Sequence, residues 1–157
     1  MGEDENLSFT GNRDSIIYNR EATIKRGIEF LSARVRMKNG VWRVDAEGLH
    51  YSDLNAILRT LNGDAVKKIE IQNVYGQRYI GTDLEGDFEI QVYGTPGNDL
   101  GAFMKGPTVV VHVNAQDGCG NTMDQGEIIV HGRAGDITGY SMRGGKIFIR
   151  DDAGYRV

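Results

Sequence analysis

His112 and His131 stand 19 residues apart, and imidazole is both a ligand for first-row metals and a ring that stacks. If that interval is one turn of a repeating structure, the two rings share a column at one strand spacing, close enough to hold a metal between them. Tyr93 and Arg150 fall in the same column on the same interval. No carboxylate stands there to complete a ligand set, so the residue types favour a π-stacked ladder of Tyr93, His112 and His131 ended by Arg150 over a metal pair. Asn98, Asp117 and Asp136 keep the interval too. Their oxygens suit calcium, but at turns Asn and Asp more commonly close the backbone by accepting from local amides. The single cysteine, Cys119, lies between Gly118 and Gly120. A thiol nucleophile needs a lowered pKa or a paired base, and Cys119 reads instead as a small residue tolerated at a tight turn. One cysteine also excludes an internal disulfide and any all-cysteine zinc or iron–sulfur site. No catalytic or cofactor-binding residue is expected in this chain.

The elements that would position these columns are set by glycine. Gly81, Gly101, Gly120 and Gly139 lie 20, 19 and 19 residues apart, each followed three positions later by Leu84, Met104, Met123 or Met142. A period near twenty residues denotes a unit that cannot bury its own apolar face and must stack on its neighbours. Aligned on these glycines, the runs Phe88 to Val92, Val109 to Val113, Ile128 to Val130 and Ile147 to Ile149 fall in register. They predict strands whose inward columns are Ile90, Val109, Ile128, Ile147 and Val92, Val111, Val130, Ile149. Leucine-rich, ankyrin and TPR arrays are excluded by the absence of their leucine spacings or helical period. A mainly β parallel β-helix over residues 65–157, with coils of 19 to 20 residues, is the expected fold.

Between the inward columns runs an outward one: Glu70 (with a one-residue slip in the first coil), Gln91, Val110, Ile129 and Phe148. It turns from polar to apolar, and the stripe Val110, Ile129, Phe148 is expected to be covered by a helix or by a partner. The next repeat glycine falls due near position 158, so the last coil is expected to be open and to favour a homo-oligomer.

Upstream, residues 1–46 read as an extension with an unstructured start, a helix and a hairpin, and residues 47–64 as a capping helix. Ile24, Ile28, Leu31 and Val35 follow a helical period broken by Gly27. Asn39-Gly40 marks a two-residue type I′ hairpin that opposes Met37 with Trp42 and Val35 with Val44. It also opposes Arg36 with Arg43, which destabilises unless acids lie nearby. Ser52 is placed as the cap of a helix whose stripe is Leu54, Ile57, Leu58 and Leu61, with Asn62-Gly63 as its stop and the first coil beneath it.

Residues 13–43 carry eight Lys or Arg against three acids, whereas residues 45–157 carry ten against sixteen. A basic arm lying on an acidic body accounts for this more simply than nucleic-acid binding, since no aromatic platform or recognised motif accompanies the charge. The acidic Met1-Gly-Glu-Asp-Glu-Asn start is not a secretory signal, and no apolar run approaches a membrane span. A soluble, cytoplasmic protein is expected.

The stretches Val74-Tyr-Gly-Gln-Arg-Tyr-Ile-Gly81, Gly94-Thr-Pro-Gly-Asn-Asp-Leu-Gly101, Gly120-Asn-Thr-Met-Asp-Gln-Gly126 and Gly135-Asp-Ile-Thr-Gly-Tyr-Ser-Met-Arg-Gly-Gly145 resemble the glycine-rich GXGXG domain. That domain forms the C-terminal part of the glutamate synthase large subunit and occurs as a separate chain in some bacteria and archaea. Related domains occur in a subunit of formylmethanofuran dehydrogenase and in an N-methylglutamate-forming enzyme. The likeness covers roughly residues 47–157. It implies a right-handed β-helix beside glutaminase and synthase domains, with FMN and the iron–sulfur cluster on those partner domains, and a structural rather than catalytic role for this chain. A metal protein built on His112 and His131 and a nucleic-acid binder using the basic arm are the readings from other classes.

Overall fold

The alternating runs form strands where the repeat places them. A computed structural model describes residues 31–63 and 65–157. The chain divides into two compact units, Met1–Arg34 and Val35–Val157, and the strands described belong to the second. They are β1 (Val35–Lys38), β2 (Val41–Asp45), β3 (Lys68–Tyr75), β4 (Glu89–Thr95), β5 (Lys105–Val111), β6 (Gln125–Val130) and β7 (Lys146–Ile149), with helix α1 (Tyr51–Leu61) between β2 and β3. All seven join one sheet in chain order. β1 and β2 are antiparallel, and every later pair is parallel. Parallel neighbours in sequence order require a crossover between each pair, and this succession makes a β-solenoid of about four turns.

Cα register confirms both inward columns. Ile69, Ile90, Val109, Ile128 and Ile147 pair in succession, as do Ile71, Val92, Val111, Val130 and Ile149. All are buried except Ile147 and Ile149, which are half-buried. The first coil's slip is a bulge between Ile71 and Val74, where Asn73 takes φ 58°; it absorbs the one extra residue without turning Glu70 off the outward face. β5 ends at Val111, and Val113, expected in that strand, is 43% exposed.

Two further inward columns line the corners. Leu84, Met104 and Met123 are buried, and so are Ile80, Leu100, Cys119 and Thr138 immediately before each repeat glycine. Gly101 and Gly120 are favoured as glycine by their φ values of +68° and +72°, and a Cβ there would also push aside the Cδ1 ends of Ile128 and Ile147 in the coil beyond.

The hairpin has the expected register, with Val35 opposite Val44, Arg36 opposite Arg43 and Met37 opposite Trp42. Asn39 and Gly40 both take positive φ. β2 then pairs with β3, so the hairpin lengthens the sheet rather than lying apart from it. Of the Arg36–Arg43 pair, Arg43 is engaged by an acid, Glu70, 3.3 Å away. The helix expected through Ile24 and Ile28 lies outside the described residues, and Val35 opens β1 instead of extending that helix.

The cap of helix α1 lies two residues earlier than the sequence suggested. His50 is the N-cap, its Nδ1 accepting from the Ser52 amide at 3.3 Å, while Ser52 lies inside the first turn. Asn62 stops the helix, its amide donating to Leu58 O. Leu54, Ile57 and Leu58 are buried. The helix is tied to the first coil by Asn55 Nδ2, which donates to Arg78 O, and by Asn62 Oδ1, which accepts from the Glu85 amide. Buried Gln77 satisfies the neighbouring loop, donating to Ala46 O and Leu49 O while accepting from the Tyr75 amide. Among the described residues no helix is long and apolar enough to cross a membrane.

These columns dictate an asymmetric response to charge. Val111→Asp or Ile128→Asp puts an unpaired carboxylate in the stack at a cost of several kcal/mol, enough to unfold a domain of ordinary stability. Gln91→Asp, on the outward face, leaves the fold intact. Circular dichroism melts of the three variants check this, and the opposite ranking would mean the two faces are interchanged.

Candidate functional site

Three columns of side chains make the outward face of the sheet. The first, Lys68, Glu89, Thr108, Glu127 and Lys146, is polar throughout. The second runs Arg43, Glu70, Gln91, Val110, Ile129, Phe148 in direct Cα register. Its charged end belongs to an ion-pair network, for Arg43 and Lys68 both approach Glu70 and Lys68 also approaches Glu89 at 3.6 Å. Beyond Gln91 the column is apolar, and its members grow more exposed along the solenoid: Val110 is buried, Ile129 half-buried and Phe148 51% exposed.

The third column holds the imidazoles. Tyr93 and His112 stack with centroids 4.5 Å apart and an interplanar angle of 7°; His112 and His131 stack at 5.8 Å and 19°. Gln91 Oε1 accepts from His112 Nε2, which commits that nitrogen's proton and leaves only Nδ1 as a donor pair for a metal. Rings lying face to face also hold their in-plane nitrogen lone pairs in nearly parallel planes, which do not converge on a point between them. The arrangement is a stacked ladder. Arg150 does not end it as expected, because its guanidinium turns to Asp151, with Nε 2.9 Å from Oδ1 and Nη2 3.3 Å from Oδ2. This bond holds the Asp151 carboxyl below its ordinary range.

Asn98, Asp117 and Asp136 form a ladder of a different kind. Asn98 Oδ1 accepts from the Asp117 amide, Asp117 Oδ1 from the Asp136 amide and Asp136 Oδ1 from the Tyr155 amide, the last two at 2.8 Å. Each side chain therefore satisfies backbone one coil further on, not the local turn that the sequence suggested. Asn114 does the same for Arg133. Each carboxylate in this ladder has one oxygen engaged, and among the described residues no three His, Cys, Asp or Glu converge as a metal site.

An open cleft of about 700 Å³ crosses the corners before β4 to β6, edged by Glu85, Asp87, Lys105 and Asp124. Three of these four charges are engaged: Lys105 lies 3.3 Å from Glu85, and Arg143 lies 2.9 Å from Asp124. Gly106 in its floor follows from coil stacking, since a Cβ there would strike the Gly86 carbonyl, whereas Gly86 is set by its own φ of +114°.

Sequence reasoning missed the ion-pair network and the Gln91–His112 bond. Both were within reach, since residues one period apart, or one period and two, are neighbours on one face. Of the basic arm, residues 13–30 lie outside the described residues, and Arg43 is engaged with Glu70.

A family model described as GXGXG motif matches residues 53–157, which takes in β3 to β7 and most of α1. An uncharacterized protein of Methanocaldococcus jannaschii is 50% identical over 85 residues, amounting to 52% of this chain and 32% of the relative. The chain thus spans about a third of the length of the curated relative it matches. None of the solved structures matches the chain significantly.

Cys119 occupies an inward column and is 1% exposed, so its smallness suits core packing more than a turn. Burial pushes its thiol up from 9.0 to about 12. The unfolded thiol ionises near 9 while the folded one stays protonated, so this group's contribution to stability is intact below pH 9 and is lost as pH rises toward about 12. At neutral pH, alkylation of Cys119 by iodoacetamide is expected to proceed only at the rate of unfolding. Rapid labelling of the folded chain would identify an accessible, activated thiol instead.

Proposed function

The chain belongs to the GXGXG motif family, and on that premise we propose that it is a non-catalytic assembly module of a glutamate-synthase-like oxidoreductase complex serving glutamate biosynthesis in the cytoplasm. The observation that carries this reading is the extent of the match. It takes in β3 to β7 with their corners, so the likeness is to the stacked scaffold and not to an isolated glycine pattern. The chemistry of the chain points the same way. Glutamine hydrolysis by a thiol needs a thiolate, and the one cysteine is buried with its pKa raised. A thiolate-bound cluster needs several cysteines, so FMN and the iron–sulfur cluster belong to partner domains in this reading.

The surface assigned to those partners is the stripe Val110, Ile129 and Phe148, where the outward column runs out of charge. A catalytic chain docked there buries the exposed Phe148 ring and leaves the ion-pair network of the early coils in water. A homo-oligomer through the same stripe is the competing occupant.

The test is recovery of tagged chain from its native cells. The expected result is a complex carrying FMN and iron in fixed ratio to the chain and forming glutamate from glutamine and 2-oxoglutarate. Phe148→Glu should release the flavoprotein at least tenfold more readily while leaving the circular dichroism spectrum unchanged. Recovery as a homo-oligomer without flavin, or glutamine hydrolysis by the chain alone, overturns the reading.

A further inference from the structure

The sheet has a second unsatisfied feature, at the opposite end from Phe148 and independent of the function proposed above. Among the described residues β1 pairs only with β2, which leaves its other side as the edge of the described sheet. Its residues are sorted by face. Val35 and Met37 lie in Cα register with Val44 and Trp42, which continue into Ile71 and Ile69, so both stand at the head of the inward columns. Arg36 and Lys38 lie on the outward face.

The charges on that face do not balance locally. Arg36 stands opposite Arg43, and Glu70, the acid that engages Arg43, lies two strands away. Arg36, Met37 and Lys38 are all exposed, Met37 by 50%, and no ion pair to Arg36 or Lys38 occurs among the described residues. Like charges directly opposite one another in a sheet destabilise it, and a carboxylate beside them reverses the sign.

From this edge we propose that β1 accepts an added strand from an acidic partner: an extended segment in which apolar residues alternate with Asp or Glu. Strand addition draws affinity from main-chain hydrogen bonds and specificity from alternate side chains. Here the apolar residues of the incoming strand fall beside Val35 and Met37, lengthening both inward columns by one place. Its carboxylates fall beside Arg36 and Lys38 and relieve the Arg36–Arg43 opposition. A second copy offering its own β1 is a poor occupant, because two pairs of cations would then face each other. Edge cations also discourage promiscuous pairing; that role and selective acceptance of an acidic strand differ in what they predict.

Trp42, the only tryptophan, lies directly across from Met37 and reports on this edge. The probe is a blocked synthetic peptide alternating valine and glutamate, titrated into the full chain, with the valine–lysine peptide as control. The glutamate peptide is expected to change Trp42 fluorescence saturably and to slow amide exchange over residues 35–38. The lysine peptide should do neither. The double variant Arg36→Glu, Lys38→Glu should weaken binding of the glutamate peptide at least tenfold and admit the lysine peptide, with an unchanged far-ultraviolet spectrum certifying the fold. The proposal fails if neither peptide binds at millimolar concentration, if both bind equally, or if the variant self-associates without any change in peptide preference.

Discussion

Backbone hydrogen bonds from coil to coil are the interaction on which the rest of this molecule depends, and they continue around the corners. Gly101, Gly120 and Gly139 donate to Ile80, Leu100 and Cys119 of the preceding coil, at 2.7 to 2.8 Å. Two residues away, Asp99, Gly118 and Ile137 donate to the following coil. Keeping alternate amides on the solenoid axis while the chain turns requires left-handed backbone. Positive φ therefore appears at Tyr79, Asp99 and Ile137 before the repeat glycines, and at Asp83, Phe103, Thr122 and Ser141 after them. For residues with a Cβ this costs roughly 1 to 2 kcal/mol each. A buried amide left unbonded costs about 1 to 3 kcal/mol, so the corner is worth its strain wherever two coils meet.

Stacking at one strand spacing makes the two faces of the sheet obey different rules. Inward, each side chain lies on its equivalent in the next coil, and the strand columns keep to isoleucine and valine while the corner columns vary more, from Ile80 to Cys119 in one and from Leu84 to Met123 in the other. Thr138 in such a column keeps its place by turning its hydroxyl back to Gly135 O. Outward, the same stacking places like on like with solvent as the alternative, so a column can change character along its length. The second outward column does, from Arg43 and Glu70 to Ile129 and Phe148. Side chains can also extend the backbone ladder, as the run from Asn98 through Asp136 to the Tyr155 amide shows.

Most of the fold was legible because a solenoid writes its period into the chain. Glycines at 19- or 20-residue intervals and β-branched residues in register with them identified the strands, both inward columns and the order of the outward one. The turn at Asn39-Gly40 was legible from two residues. What escaped was of another physical kind. Left-handed Ile137 and Thr122 carry no sign of it in their residue type, since the ladder imposes the conformation from outside the residue. His50 as helix cap and Arg150 turned toward Asp151 are choices of rotamer between near neighbours, which spacing does not specify. The stacked imidazoles were read correctly because their geometry follows from the period alone, and the side-chain bonds of Asn98 and Asp117 were assigned to the wrong turn because the donor lies a full coil away.

The same regularity limits what this scaffold can do. Groups related by the period meet only at strand spacing and in parallel, whereas catalysis asks unlike groups to converge from several directions on one reacting atom. The stack of Tyr93, His112 and His131 shows the difference, with three rings lying face on face and nearly parallel. Recognition over an area suits such a surface better, and its size can be judged. With strands about 4.8 Å apart and about 3.3 Å per residue, seven short strands present a face of roughly 500 Å², short of the 800 Å² per side of a standard interface. A stable neighbour must therefore reach past the sheet onto the corners, where Phe103 and Tyr140 are exposed by 42% and 58%. Both flank repeat glycines, so the corner that the backbone ladder shapes also carries aromatic surface outward.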